Sequence, residues 1–270
     1  MARPMLQHAD TLSDREILYA RARAWQNRPL LRSIYHEYFA AMVARLTRRS
    51  GNRRHPHGVV VEIGGGTGNF KSFYPDVIVT DIVPTQHIDL AADAMRLPFA
   101  DGSVDNLVLQ DVLHHIPFPL AFFSEANRIL AIGGRIVMVE PFISPLSSVL
   151  YRISHPEPVD MGARIFREPQ DLSGTDPAAF TGLGAFNANQ AIPTLIFFRR
   201  VEKFQRRFPN LAICERTVHS MVAYPLSGGF SKPVLMPLAA VPAAKALESI
   251  LSPLAKWLAF RMLVVLEKSA

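Results

Sequence analysis

A chain of 270 residues, nearly half of them hydrophobic and 19% charged, can bury a core of its own, which excludes a disordered polypeptide. One cysteine, Cys214, excludes an internal disulfide and a thiolate metal site, so a reducing, cytoplasmic location is expected. The net charge of +6 is scattered except for a knot at Arg45, Arg48, Arg49, Arg53 and Arg54. No nucleic-acid motif accompanies that knot, which reads as a solvated helix end and linker, with contact to an anionic surface as the alternative.

Met1 to Asp10 contains no apolar stretch of signal-peptide length. Residues 14–47 carry apolar stripes at helical spacing, from Ile17, Leu18 and Trp25 to Ile34, Tyr35, Tyr38 and Phe39, and Pro29 is placed to begin a second helix. Polar, basic residues 50–58 read as a linker. Short buried strands are predicted at Val59 to Ile63, Val77 to Thr80, Ile88 to Ala91, Asn106 to Gln110 and Arg135 to Glu140. A helix from Pro119 to Leu130 is expected to close at Gly133-Gly134. Strands alternating with helical connections imply a parallel sheet with ligands at the carboxyl ends of its strands. Residues 143–189 are irregular and rich in Pro, Gly, Asp and Asn, the pattern of a lid or binding loop. Beyond them, 193–208 reads as a helix, 211–224 as a strand, 233–258 as a proline-interrupted apolar helix and 260–266 as a final strand.

The most informative segment is Val59-Val60-Val61-Glu62-Ile63-Gly64-Gly65-Gly66-Thr67-Gly68-Asn69-Phe70, a buried strand that breaks into glycines before a short helix. Glycines there let the backbone turn sharply and approach a ligand, with helical N–H groups facing an anion. A dinucleotide fingerprint would need a third glycine at position 69, where Asn69 stands, which disfavours a dehydrogenase. The spacing of Glu62, Gly64, Gly66 and Gly68 instead resembles the first motif of class I S-adenosylmethionine-dependent methyltransferases. Asp81 after the second strand and Asp93-Ala94 after the third follow in order. So do Leu97-Pro98-Phe99, Asp101-Gly102-Ser103, Gln110-Asp111-Val112-Leu113-His114-His115, and Glu125 to Gly134.

The resemblance covers residues 55–145. It implies an α/β fold with a doubly wound, mostly parallel seven-stranded sheet, and S-adenosylmethionine as cofactor, released as S-adenosylhomocysteine. It also implies cofactor contacts at Glu62, Gly64, Gly66, Gly68, Asp81, Ile82, Asp93, Ala94, Gln110 and Asp111, with Asp81 on the ribose and Gln110 and Asp111 beside the methionine part. The expected organisation is an N-terminal helical cap over residues 1–57 and a methyltransferase domain over 58–270, with an acceptor-side insertion at 143–192. Almost nothing separates Asp81 from Ile88, so a crossover helix is trimmed or lost, leaving the adenosyl end open or covered by the N-terminal helices.

For a hydroxyl acceptor the candidate bases are His115, His114 and His155, the last paired with Glu157 in a proline-fixed loop or simply part of a stitched turn. Asn187, Asn189 and Gln190 supply amides that either cap a helix or orient a hydroxylated acceptor. No metal is expected, although Asp111, His114 and His115 lie close in sequence. The apolar stretch 233–258 reads as a helix packed on the sheet, with a lipid-like acceptor or a membrane surface as the alternative. The function expected is methyl transfer to an oxygen or carbon of a small, lipid-like or polyketide-like acceptor, with no nucleic-acid partner. The alternative is a catalytically inactive cofactor-binding interaction subunit.

Overall fold

The computed structural model describes residues 13–48, 55–154, 157–166 and 188–270. Two helices open it: α1 (Asp14–Asn27), started by a capping box between Ser13 and Glu16, and α2 (Pro29–Val43), with Pro29 in its first turn. Strands and helices then alternate as β1 (Val60–Ile63), α3 (Asn69–Phe73), β2 (Val77–Asp81), β3 (Leu90–Ala91), β4 (Val104–Gln110), α4 (Pro119–Ile129) and β5 (Leu130–Pro141). After these come α5 (Pro145–Ser154), the turn α6 (Ile192–Thr194), a π-helical stretch (Leu195–Arg199), α7 (Val201–Arg207) and β6 (Leu211–His219). The chain ends in α8 (Ala223–Leu226), α9 (Val241–Ile250), α10 (Ala255–Leu258) and β7 (Arg261–Lys268).

The seven strands form one sheet in the order β3-β2-β1-β4-β5-β7-β6. Neighbours from β3 to β5 are parallel, and β7 runs antiparallel to both β5 and β6. Side chains alternate between two buried faces, as the two-residue period of a strand requires. Val61, Ile63, Leu107, Leu109, Ile136 and Met138 point toward α4 and the 192–208 region. Val60, Val77, Val79, Val108, Val137 and Val139 point toward α2, whose Leu31, Ile34, Phe39 and Met42 are buried against them.

Residues 82–89 hold no helix, as the shortened spacing predicts, and α1 lies beside them, where Arg15 donates to the carbonyl of Pro84. Asn106, fully buried at the start of β4, joins the end of α2 to the sheet: its Oδ1 accepts from Thr47 N at 2.8 Å and its amide donates to His57 O.

The structure departs from the sequence expectations in several places. Strand β5 begins at Leu130 and runs through Gly133-Gly134, so those glycines do not close a helix. Residues 145–154 form a helix because Pro145 stands in its first turn, where a missing N–H costs nothing, and the later prolines lie beyond its end. The helix expected over 193–208 is broken at Arg200, and β6 stops at His219. Arg45 is not a solvated helix end but a two-pronged partner of Glu215, at 2.7 Å on each arm. Arg49, Arg53 and Arg54 lie outside the described residues. The stretch 233–258 is not one helix packed on the sheet: Leu247, Ile250, Leu254 and Trp257 all face outward. Among the described residues, no single helix is long and apolar enough to cross a membrane.

One polar contact ties the two halves of the sheet. Arg261, at the start of β7 and 2% exposed, donates to Asp111 just beyond β4. Asp111 has φ +60° and also accepts from Tyr35 Oη on α2 at 2.7 Å and from Gln110 Nε2 at 2.9 Å. Removing one member of a buried pair strands the other charge. Arg261→Met is therefore expected to lower the unfolding free energy by about 3–5 kcal/mol in urea denaturation, with part of the loss recovered when Asp111→Asn is added.

Candidate active site

The loop after β1 folds as its glycines dictate. Gly64 has φ +70°, and a Cβ there would lie 2.5 Å from a Val112 methyl; Gly68 has φ +68° and opens α3 against the His87 side chain. Between them, Gly65 N donates to Thr80 O and Gly66 N to Asp81 Oδ2, which pins the loop to the end of β2. The loop opens onto a cavity of about 700 Å³ at the carboxyl ends of β1 and β4. Its polar floor comprises Glu62, Gln110, Asp111, His114 and His115; α1 walls one side with Ile17, Leu18 and Arg21, and the segment from Tyr224 to Leu235 walls another. Leu18 of α1 packs toward Gly66, so α1 lies over the glycine loop.

Two buried oxygens in this floor have no hydrogen-bond partner among the described residues: Glu62 Oε2 and Gln110 Oε1. Burial, reinforced by the nearby Asp81 and opposed by Lys71, pushes the Glu62 carboxyl up to about 8. A neutral acid and an amide oxygen facing one cavity suit a ligand that brings hydrogen-bond donors or positive charge.

The histidine pair is split electrostatically. Its rings lie 4.2 Å apart between centroids. Burial works against charging His114, but Glu140 at 2.7 Å from Nδ1, with Glu157 at 3.5 Å from Nε2, raises its pKa to about 9. Glu140 is itself fixed by the N–H groups of Val112 and Leu113. Burial and the adjacent His114 charge lower His115 to about 3, leaving it neutral. Glu157 joins the group from the other side of the cavity, 3.9 Å from His115 Nε2, 3.3 Å from Arg21, and hydrogen-bonded by Gln190. His114, His115 and Glu157 offer ligand-type atoms that all lie within 4.8 Å of one another, a grouping that omits Asp111.

The structure therefore brings together Glu62, Gly64, Gln110, Asp111, His114 and His115 around one cavity. Gly66, Gly68, Asp81, Ile82, Asp93 and Ala94 are not in its lining. Asp81 accepts from Gly66 N and Val83 N; burial raises its pKa, and these backbone bonds oppose the rise. Ile82 points outward, Ala94 packs on the core, and Asp93 accepts from Met95 N at 2.8 Å. Asp111, which lines the cavity, is bound by Arg261 and Tyr35. Burial would raise its pKa, but Arg261 and then His114 hold it below the usual value.

His155 and Asn187 lie outside the described residues, so the His155–Glu157 pairing does too. Asn189 stitches a turn, accepting from Asp160 N and Ala191 N. Glu140, which the sequence placed at the end of the fifth strand to face the acceptor or anchor a loop, instead holds the Val112–His114 turn; Arg261, Tyr35 and Arg21 escaped the sequence reading as site residues, although an arginine opening an otherwise apolar final strand was a visible signal for the first.

The methyltransferase domain family model matches residues 61–138. The chain is 29% identical over 134 residues to a demethylmenaquinone methyltransferase of Beutenbergia cavernae, covering 42% of this chain and 55% of that protein. It is 30% identical over 113 residues to an uncharacterized methyltransferase of Mycobacterium sp. (strain KMS), covering 37% of this chain and 45% of that protein. The chain thus spans about half the length of these curated relatives. A solved S-adenosylmethionine-dependent methyltransferase from Archaeoglobus fulgidus aligns with a TM-score of 0.48 at 11% identity, over 88% of this chain and 94% of that one.

A histidine whose folded pKa is raised stabilises the native state fully below its unfolded value, here 6.5, and loses that contribution as pH rises through about 9. The stability difference between the wild type and His114→Gln is therefore expected to be on the order of 2–3 kcal/mol below pH 6.5 and to shrink toward zero above pH 9 in denaturant titrations across pH. A difference that grows with pH would contradict this assignment. Residues 61–138, which match the methyltransferase domain family model, contain the glycine loop and the greater part of the parallel strands β1 to β5.

Proposed function

We propose that this protein transfers the methyl group of S-adenosylmethionine to an oxygen or carbon of a small, lipid-like acceptor. The observation that carries the reading is the glycine loop opening onto a cavity in which Glu62 and Gln110 present unpartnered buried oxygens. These oxygens fit the hydrogen-bond donors of the cofactor, its ammonium and hydroxyl groups. In this reading Gly64 and the loop around it hold the cofactor close to the backbone, Glu62 and Gln110 receive its polar groups, and Asp81 and Asp93 serve its adenosyl end. When bound, S-adenosylmethionine supplies a methyl group on a positively charged sulfur, already activated toward attack. The chain's own task is then to align the acceptor, keep water out and take up a proton.

His115 is the residue assigned to the proton. It is neutral and lines the cavity; burial and the His114 charge hold its pKa at about 3 against the opposing Glu157, so it takes a proton as the acceptor oxygen is alkylated and becomes strongly acidic. His114 is a fixed cation held by Glu140 and Glu157; it positions its neighbour and takes no proton at neutral pH. The acceptor hydroxyl loses its proton to His115 as its oxygen takes the methyl group, and sulfur keeps the bonding electron pair. A lipid-like acceptor is supported by apolar walls at Ile17, Leu18, Leu150, Tyr224, Phe230 and Leu235, and by a relative named for demethylmenaquinone.

Calorimetric titration with S-adenosylhomocysteine tests the cofactor site. Binding near micromolar strength is expected, weakened about 5- to 100-fold in Gln110→Ala, the range for losing one buried hydrogen bond. No binding of either S-adenosylhomocysteine or S-adenosylmethionine would overturn the reading. With a panel of prenylated phenols read by product mass, His115→Gln is expected to lower kcat by about 10²- to 10⁴-fold while leaving S-adenosylhomocysteine affinity unchanged. An unchanged rate would remove His115 from the proton step.

A further inference from the structure

Two helices of this protein are inside out. In α5, the apolar stripe Leu146, Val149, Leu150 and Ile153 recurs at helical spacing, yet all four side chains face solvent, with Ile153 77% exposed. The opposite face, carrying Ser147 and Tyr151, is the buried one. In α9, Leu247 and Ile250 face outward, Ile250 being 74% exposed, whereas the glutamate between them, Glu248, is buried and accepts from Val222 N and Ala223 N. Scattered exposed leucines are ordinary in any protein, but an amphipathic helix with its apolar side outward is not. The two faces adjoin. α10, which follows α9 after a bend of 66° in the chain, packs against α5 and presents Trp257, 63% exposed.

The charges on this face have one sign. Residues 232–258 contain Lys232, Lys245, Glu248 and Lys256, and residues 145–154 contain only Arg152, so the sole acid of both stretches is the buried Glu248. Lys245 pairs with Glu37 at the surface and approaches Glu248, which leaves Lys232, Lys256 and Arg152 as the exposed cations of these stretches. Beside Trp257 lies a recess of about 580 Å³ into which Arg199, Arg216 and Lys256 project between Pro145 and Phe198, with no acidic residue in its lining. Leu150 and Leu235, both exposed, also line the mouth of the larger cavity. The outward apolar face is therefore continuous with the acceptor entrance.

We propose that the α5–α9–α10 face docks on an anionic phospholipid bilayer, with the basic recess taking a lipid phosphate and the cavity mouth opening toward the acyl region. Apolar side chains with a tryptophan and a rim of lysine and arginine match the boundary between headgroups and acyl chains. A second copy of this chain is the poorer occupant, because a two-fold contact would bring the same positive rim against itself. The inference goes beyond the methyl-transfer reading. Only its link to the cavity mouth rests on that reading, and vesicle binding and cofactor binding are read separately.

The test is co-sedimentation of the full chain with vesicles of phosphatidylcholine alone or mixed with phosphatidylglycerol, at low and high salt. S-adenosylhomocysteine binding is measured on the same preparations. Wild-type protein is expected to bind the phosphatidylglycerol vesicles roughly tenfold or more tighter than phosphatidylcholine alone, and less so at high salt. Ile153→Glu with Ile250→Glu, both highly exposed and outside the cavity lining, is expected to abolish sedimentation while leaving S-adenosylhomocysteine affinity unchanged. Wild-type protein that stays in the supernatant with both vesicles, or a double variant that sediments as well as wild type, would overturn the proposal. So would a wild-type dimer in light scattering that the same two substitutions convert to monomer, which would assign the face to a second copy.

Discussion

A guanidinium removed from water has to be matched by an anion, and the placement of Arg261 imposes that requirement on the whole centre of this protein. Its partner Asp111 sits just past β4 in a left-handed backbone conformation, directly before the helical turn that carries the two histidines. Tyr35 of α2 donates to the same carboxylate, and the rings of Tyr38 and Tyr224 lie 5.9 and 5.0 Å from the Arg261 guanidinium carbon. One ion pair thus joins the parallel half of the sheet, the antiparallel strand β7, the N-terminal helix layer and the cavity wall. The floor of the cavity is a by-product of satisfying that charge.

The same logic of compensation divides the histidines. Glu140 has no freedom to move: it is fully buried, its Oε1 accepts two backbone N–H groups and its Oε2 meets His114. A carboxylate held that way keeps a proton on the ring it touches, and a positive ring 4.2 Å away keeps the next ring neutral. Two adjacent residues of identical chemistry therefore acquire opposite charge states, set by which one the strand-end glutamate can reach.

Much of this was legible in the sequence because local chemistry dictated it. A strand that breaks into Gly64, Gly66 and Gly68 has few structural options, and alternating strands and helices restrict the sheet to a small set of orders. The missing crossover after Asp81 was a matter of counting residues. What the sequence pattern could not show was partnership across distance: Arg261 and Asp111 are 150 positions apart, and nothing in either neighbourhood names the other. Tyr35 was hidden in an apolar stripe, where its hydroxyl went unread. Helical periodicity in 233–258 correctly marked an apolar face, whereas the helix at 145–154 went unread; periodicity fixes only which residues share a face. Whether that face turns inward depends on what the rest of the fold has already covered.

Glu248 illustrates what that arrangement demands of the chain. It stands between the outward-facing Leu247 and Ile250, yet its carboxylate caps the two N–H groups that begin the wall of the large cavity. A force applied to the outer face of this short helix, α9, therefore has a direct route to the cavity wall through that carboxylate.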